Sequence, residues 1–70
     1  MDHPKLILTA RQIAILCLVA QDIPQKEIAA TLNISHKTVN THIAVIREKL
    51  KVKGIAGMTK VAVKYKLVPE

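Results

Sequence analysis

Residues 24–50 read PQKEIAATLNISHKTVNTHIAVIREKL, and this stretch decides the fold. Its apolar residues recur at helical spacing on both sides of a short break at residues 33–35. Asn33 tolerates the left-handed conformation in which helices often end, Ile34 can fill the core, and Ser35 is a good N-cap. Pro24 suits the first turn of a helix, where its missing N–H is not needed. The stretch therefore predicts two helices, about 24–32 and about 36–50, joined by a three-residue turn.

The second helix of this pair has two different faces. Its apolar stripe is Val39, Ile43, Ile46 and Leu50. The opposite face carries Lys37, Asn40, Thr41, Ala44 and Glu48. A helix that only has to stay soluble usually carries long Glu and Lys side chains, whereas Asn, Thr and Ala let its backbone approach another molecule closely. This arrangement is typical of a helix-turn-helix whose second helix enters the major groove of DNA, which is wide enough for one helix.

The flanking sequence predicts two more helices. Thr9 and Gln12 form a capping box at the start of a helix over about 10–20. A last helix over about 56–66 places Met58, Val61, Ala62 and Tyr65 at spacings of three and four, as core, as a face for a second copy, or as both. Because Pro4 discourages an early helix, residues 1–8 are predicted to be an arm before a domain at 9–68. The predicted fold is a compact, all-α, four-helix domain.

Composition excludes several classes of protein. The chain has 70 residues, half of them hydrophobic, with one Tyr and no Trp or Phe, so it forms one small aliphatic core. One cysteine, Cys17, and three scattered histidines argue against a disulfide scaffold or a zinc fold. We expect no catalytic residues, metal or cofactor. The apolar run at 13–20 is too short to cross a bilayer, and no signal-peptide order is present, so we expect a cytoplasmic protein.

The charge is concentrated in one half of the chain. Residues 1–36 hold three basic and three acidic side chains, whereas residues 37–70 hold eight basic and two acidic ones. The whole net charge of +6 therefore lies after residue 36. Such asymmetry favours a polyanionic partner, either nucleic acid or an anionic membrane surface, over a basic surface that is merely soluble.

The residues that carry a family resemblance are spread along the chain in one register. They are Leu8-Thr9-Ala10-Arg11, Lys26-Glu27-Ile28-Ala29, Leu32-Asn33-Ile34-Ser35, Thr38-Val39, His42 and Lys49-Leu50-Lys51-Val52. From about Leu6 to Val68 the chain resembles the LuxR-type helix-turn-helix domain of bacterial transcription regulators. Region 4 of sigma factors shares the Lys-Glu-Ile-Ala and Thr-Val pieces but usually lacks the histidine found here at His42.

The resemblance implies a sequence-specific regulator that binds double-stranded DNA as a homodimer through its last helix. It places Asn40, Thr41 and Ala44 at base-reading positions, with Lys37 nearby, and Lys26 and Thr38 at phosphates. The run Lys49, Lys51 and Lys53 is a further backbone-contacting set or a solvated connector. The competing interpretations are a solvated Lys26 and a locally satisfied Thr38 hydroxyl. His42 is interpreted as a packing residue at the edge of the core and not as a ligand or an acid–base group.

The chain also departs from the family pattern. Lysine is common where Asn40 stands, and because Asn can contact adenine through two hydrogen bonds, we predict a preference for A·T pairs there. Thr41 could contact a thymine methyl. Glycine is common at the positions of Asp22 and Lys51, so the helix end at Lys51 is expected to be capped differently.

The helix at 10–20 carries an unexpected apolar stripe. Ile13, Ala14 and Cys17 lie where polar side chains are usual in the family, and Ile13 and Cys17 would form an apolar patch with Ala10. By contrast, Ile15, Leu16, Leu18 and Val19 are expected in the core. Either the stripe is exposed and suits a protein partner, or the Leu6–Ile7 arm covers it. The first possibility gives an alternative function, a protein-interaction module that blocks another regulator through the first or last predicted helix. Cys17 itself is interpreted as an apolar filler.

Overall fold

The computed structural model describes residues 3–68, which fold into helices. In chain order these are α1 (Pro4–Ile7), α2 (Ala10–Ala20), α3 (Gln25–Leu32), α4 (His36–Leu50) and α5 (Ile55–Lys64). The predicted all-α fold with a helix-turn-helix is confirmed. Helices α2 and α4 begin and end at the predicted residues, α3 begins one residue later than predicted, and α5 begins one residue earlier and ends two residues earlier.

The helix caps explain why the boundaries were predictable. The Thr9 hydroxyl accepts a hydrogen bond from Gln12 N at 3.1 Å, and Gln12 Oε1 accepts one from Thr9 N at 3.0 Å, which completes the predicted capping box. Ser35 caps α4 by accepting from Thr38 N at 3.0 Å. Pro24 is the N-cap of α3 and not its first helical residue, since its ψ of 147° is extended.

The N-terminal arm is where the prediction of local structure was wrong. Pro4 begins the one-turn helix α1, because the first position of a helix needs no N–H and the proline ring presets φ. His3 caps this turn, with Nδ1 accepting from Lys5 N at 3.1 Å. Leu8 is buried and Ile7 packs on the core, but Leu6 is 77% exposed. Met1 and Asp2, which belong to the same predicted arm, lie outside the described residues.

The core lies between α2, α4 and α5, with α3 closing one side. Its fully buried large side chains come from every helix, which gives one contiguous aliphatic cluster. They are Pro4, Ile15, Leu16, Ile28, Val39, Ile46, Leu50 and Met58. Of the residues expected in the α2 core, Leu18 is only half-buried but packs against the cluster.

Several helix ends use a left-handed residue that is not glycine. Asp22, Asn33, Lys51 and Lys66 have φ between 55° and 63°. The expectation that α4 must be capped differently at Lys51 is therefore wrong, because Lys51 adopts the left-handed geometry that glycine would and donates its N–H to the last turn. A non-glycine residue in this conformation costs some free energy relative to glycine.

Candidate nucleic-acid interface

Helices α3 and α4 form the helix-turn-helix. The left-handed Asn33 turns the chain, and Ile34 N donates to Ala29 O at 3.0 Å, so the turn is closed by backbone hydrogen bonds. A side-chain bond joins the two helix starts, with His36 Nε2 3.0 Å from Gln25 Oε1. These contacts fix the start of α4 relative to α3, which is the end that a reading helix presents to a groove.

The base-reading residues predicted from the sequence lie together on the outer face of α4. Lys37, Asn40, Thr41 and Ala44 are all exposed and spaced so that they share one face. Thr41 Oγ1 donates to Lys37 O at 3.1 Å, which fixes its rotamer. Within residues 3–68 the Asn40 side chain makes no hydrogen bond, so its amide can donate and accept elsewhere.

The predicted phosphate-contacting residues are less uniform. Lys26, Lys51 and Lys53 are exposed. Thr38 is exposed too, but its hydroxyl lies 2.8 Å from the Ser35 hydroxyl, so part of its hydrogen-bonding capacity is used locally. Lys49 Nζ donates to Gln12 Oε1 at 3.3 Å and thereby ties α4 to the start of α2.

The residues predicted to form a dimer face lie mainly on the inner side of α5. Met58 and Ala62 are fully buried and Val61 is 6% exposed, while Tyr65 is half-buried against the core. Buried side chains cannot contact a second copy without opening the domain, so Met58, Val61 and Ala62 are corrected to core residues, while the assignment of half-buried Tyr65 to a dimer face stays a prediction. The outward side of α5 carries exposed Ile55, Ala56, Lys60, Val63 and Lys64, with Thr59 half-buried.

The apolar stripe on α2 is split between two environments. Ala10 is exposed, and Ile13 is half-buried against the core; together with Lys5 and Leu8 they line an open groove of about 360 Å³. Cys17 is half-buried, and its thiol donates to Leu67 O at 3.0 Å. Burial raises the pKa of the Cys17 thiol, and attraction to the Lys5 ammonium offsets part of that rise.

His42 is half-buried beside the apolar stripe of α4. In the part of the chain that the structure describes, no three His, Cys, Asp or Glu side chains gather as they would around a metal ion. No helix of residues 3–68 combines the length and apolar character needed to cross a membrane.

Sequence reasoning missed three side chains that hold the helix-turn-helix in place. Arg11 Nη1 donates to Leu32 O at 3.5 Å and so braces the end of α3 from α2. Gln25 joins His36 as described above, and Arg47 Nη1 donates to Lys53 O at 3.4 Å. The only sequence signal for a role of Arg11 was its place in the motif Leu8-Thr9-Ala10-Arg11. Gln25 and Arg47 read as ordinary polar surface residues, because their partners are distant or are backbone atoms.

Comparisons with known proteins agree with this geometry. The sequence profile of the luxR family of bacterial regulatory proteins, GerE, matches residues 6–62. The chain is 38% identical over 58 residues to the nitrate/nitrite response regulator protein NarP of Escherichia coli, covering 83% of this chain and 27% of NarP. It is 40% identical over 67 residues to the oxygen regulatory protein NreC of Staphylococcus carnosus, covering 96% of this chain and 31% of NreC.

The spore germination protein GerE of Bacillus subtilis is 48% identical over 50 residues, which are 71% of this chain and 68% of GerE. The chain thus spans about a third or less of NarP and NreC and about two thirds of GerE. No solved structure gives a significant match. The family consists of DNA-binding transcription regulators and not of enzymes. With its helix-turn-helix and a profile match over residues 6–62, the chain belongs to the luxR family of bacterial regulatory proteins.

Proposed function

We propose that this chain binds double-stranded DNA sequence-specifically and regulates transcription in the cytoplasm. The observation that carries the proposal is the outer face of α4, where Asn40, Thr41 and Ala44 are exposed together on a helix braced by α3. Their short side chains let the helix backbone lie deep in a groove. The major groove presents a distinct pattern of donors, acceptors and methyl groups for each base pair, which such side chains can read.

The charges around this face suit a phosphate backbone. Lys37 lies on the first turn of α4, Lys26 on α3, and Lys51 and Lys53 follow the end of α4, all of them exposed. Contacts of this kind position a protein on the duplex without reading its sequence. They also make the affinity depend steeply on salt, because each neutralised phosphate releases condensed counterions.

The proposal also includes a homodimer of this chain. The outward side of α5 exposes Ile55 by 47% and Val63 by 56%, and Ala56 beside Ile55 is exposed as well. Two copies that pack these faces together would bury this apolar surface and place two α4 helices on neighbouring half-sites. The homodimer thus forms through the last helix, as the resemblance implies, but through its outward side.

Selection of binding sites from random duplexes tests the proposal. We expect an enriched half-site that repeats at about one helical turn, and a complex with two copies of the chain per duplex. Lys37→Gln should weaken binding to the selected site, while Lys5→Gln removes the same charge from α1 and should leave it nearly unchanged. If no duplex is bound even at low salt, the proposed function is wrong.

The groove beside α1 favours one alternative, the protein-interaction module. Ile13 and Ala10 line an open groove and Leu6 is exposed at 77%, so this end of the molecule offers apolar surface for a partner. Under this alternative, Ile13→Glu abolishes the capture of a partner regulator without unfolding the domain, and DNA is not bound. Retention of DNA binding by Ile13→Glu favours the DNA-binding proposal.

A further inference from the structure

The segment between α4 and α5, residues 51–54, is held to the end of α4 mainly by Arg47, with one further hydrogen bond from Lys51 N to Glu48 O at 3.2 Å. Arg47 O accepts hydrogen bonds from Lys51 N and, at 3.0 Å, from Val52 N. The Arg47 side chain then extends to the next residue, where Nη1 donates to Lys53 O at 3.4 Å. One arginine thus contacts three consecutive residues of a segment that carries two exposed lysines.

The opposite side of the same segment is held by α5. A Cβ atom built on Gly57 would lie 2.8 Å from Val52 Cβ, so α5 approaches the segment as closely as a glycine allows. Val52 is half-buried and packs against the core. The backbone of residues 51–54 is therefore fixed between two helices, and Lys51 and Lys53, on either side of the inward-facing Val52, both remain exposed.

The Arg47 side chain is positioned for this contact and not for solvent. Its Nε is buried and has no hydrogen-bond partner within residues 3–68, which is unfavourable for a polar atom. A side chain free to turn outward would have its Nε hydrated. The side chain is half-buried and its Nη1 is bonded to Lys53 O, so the guanidinium is held against the segment at 51–54.

We propose that Arg47 is a positioning residue for DNA binding, which fixes residues 51–54 so that Lys51 and Lys53 meet phosphates of the duplex. This inference rests on the proposed function. Because the backbone beneath the two lysines is ordered before binding, less conformational freedom is lost when they contact DNA. Arg47 acts through the lysines and makes no phosphate contact of its own.

A double-mutant cycle tests this role. The affinity for a short duplex of arbitrary sequence is measured between about 50 and 200 mM salt. The four proteins are the unchanged chain, Arg47→Met, Lys51→Gln with Lys53→Gln, and all three changes together. We expect the two lysine changes to reduce the steepness of log affinity against log salt by about 1.8, for two lost phosphate contacts. We expect Arg47→Met to weaken binding by about threefold to tenfold when the lysines are present and to have no effect when they are absent.

The matched control is Arg11→Met, which also removes a guanidinium bonded to a carbonyl oxygen. It should weaken binding equally with and without the lysines. If Arg47→Met unfolds the domain, Arg47→Lys carries the same cycle, because it keeps the charge and the stem but loses the planar fork. Circular dichroism establishes that each variant is folded.

Three outcomes would overturn the inference. If Arg47→Met has no effect in the unchanged chain, the residue positions nothing. If it weakens binding equally without the lysines, its role is structural or it contacts DNA itself, and a further fall of about 0.9 in the salt slope would identify the direct contact. If the lysine changes leave the salt slope as it was, these lysines do not meet phosphates.

The free protein separates this inference from the proposed function. Failure of the unchanged chain to bind any duplex refutes the proposed function. Backbone NMR order parameters of residues 51–54 report the positioning without DNA, and we expect Arg47→Met to lower them. Order parameters that do not change would refute the positioning role, whatever the chain binds.

Discussion

Helices α4 and α5 are built alike on their inner sides and differently on their outer sides. Each buries an apolar stripe in the shared core, through Ile46 and neighbours in α4 and Met58 and neighbours in α5. Outward, α4 presents short polar side chains, whereas α5 presents Ile55 and Val63 beside lysines. The inner stripes specify the fold, and the outer faces distinguish a surface suited to DNA from one suited to a second copy.

Truncating the inner stripes should have the largest effect. Ile46→Ala and Met58→Ala each remove a fully buried side chain, so each should lower the free energy of unfolding by about 2–5 kcal/mol. That loss is comparable to the whole stability of a domain this small, about 3–5 kcal/mol. Urea unfolding followed by circular dichroism measures it. The outward controls Asn40→Ala and Val63→Ala should change it by less than about 0.5 kcal/mol, and equal losses for inner and outer changes would contradict the comparison.

The outer face of α5 can be tested without touching the core. Val63→Lys places a charge on the apolar face where we expect two copies to meet. Because burial of a valine contributes about 1.5–3 kcal/mol, binding to a duplex with two half-sites should weaken about tenfold to a hundredfold. Binding to a single half-site should not change, and quantitative gel-shift titration compares the two. The control is Lys64→Gln, which changes a charge at the edge of the same face. If Val63→Lys weakens binding equally on both duplexes, that result would argue against this dimer.

A substitution on the outer face of α4 should change the sequence specificity of DNA binding and not the formation of the dimer. Asn40→Ala removes an amide that can make two hydrogen bonds to adenine, so discrimination at one A·T pair should fall by about 1–3 kcal/mol. Competition between duplexes that differ at this pair measures the loss. The stability of the domain and its dimeric binding should stay the same. Enrichment of G·C alone under this helix, or unchanged discrimination in Asn40→Ala, would show that Asn40 does not read adenine.

The inner side of the helices was largely predictable from the sequence, because burial imposes a period that the sequence must show. Val39, Ile43, Ile46 and Leu50 lie in the core as the spacing of α4 indicated. Thr9 and Ser35 could be predicted as helix N-caps, because each bonds to a backbone N–H only three residues ahead. The same period could not decide between core and dimer face for α5, since Met58, Val61 and Ala62 satisfy it whether a stripe faces the core or a partner; the structure places them in the core.

The rest depended on contacts between distant parts of the chain. Arg11 reaches Leu32 and Lys49 reaches Gln12, and neither pair has a spacing that sequence periodicity can detect. Proline is unfavourable inside a helix, and the prediction of an arm at residues 1–8 rested on that property. Pro4 instead stands at the first position of α1, where proline is favourable. At Lys51 the surrounding fold imposes a left-handed conformation that residue preference argues against.

A substitution at the junction between α4 and α5 should have a smaller effect on the stability of the domain. Gly57→Ala places a methyl group 2.8 Å from Val52 Cβ, which would push α5 away from the segment that ends α4. Overpacking costs about 1–3 kcal/mol and the gain in helix propensity offsets about 1 kcal/mol, so a net loss of about 1 kcal/mol is expected. Gly54→Ala is the matched control, since its Cβ meets nothing within 4 Å. If thermal unfolding shows Gly57→Ala to be as stable as the control, the close approach does not limit this junction.

The rate at which the Cys17 thiol is modified tests whether the segment after α5 stays packed on α2. Of the effects predicted here, we expect this one to be the smallest. Burial raises the pKa of its thiol in the folded protein, so the folded state holds the proton more tightly than the unfolded chain does. The resulting contribution to stability is present below the unfolded pKa and is lost as the pH rises through the folded pKa. At neutral pH iodoacetamide should therefore modify Cys17 more slowly in the native protein than in urea, as mass spectrometry can follow. Because the thiol donates to Leu67 O, equal rates in the two states would mean that the segment after α5 leaves α2 readily.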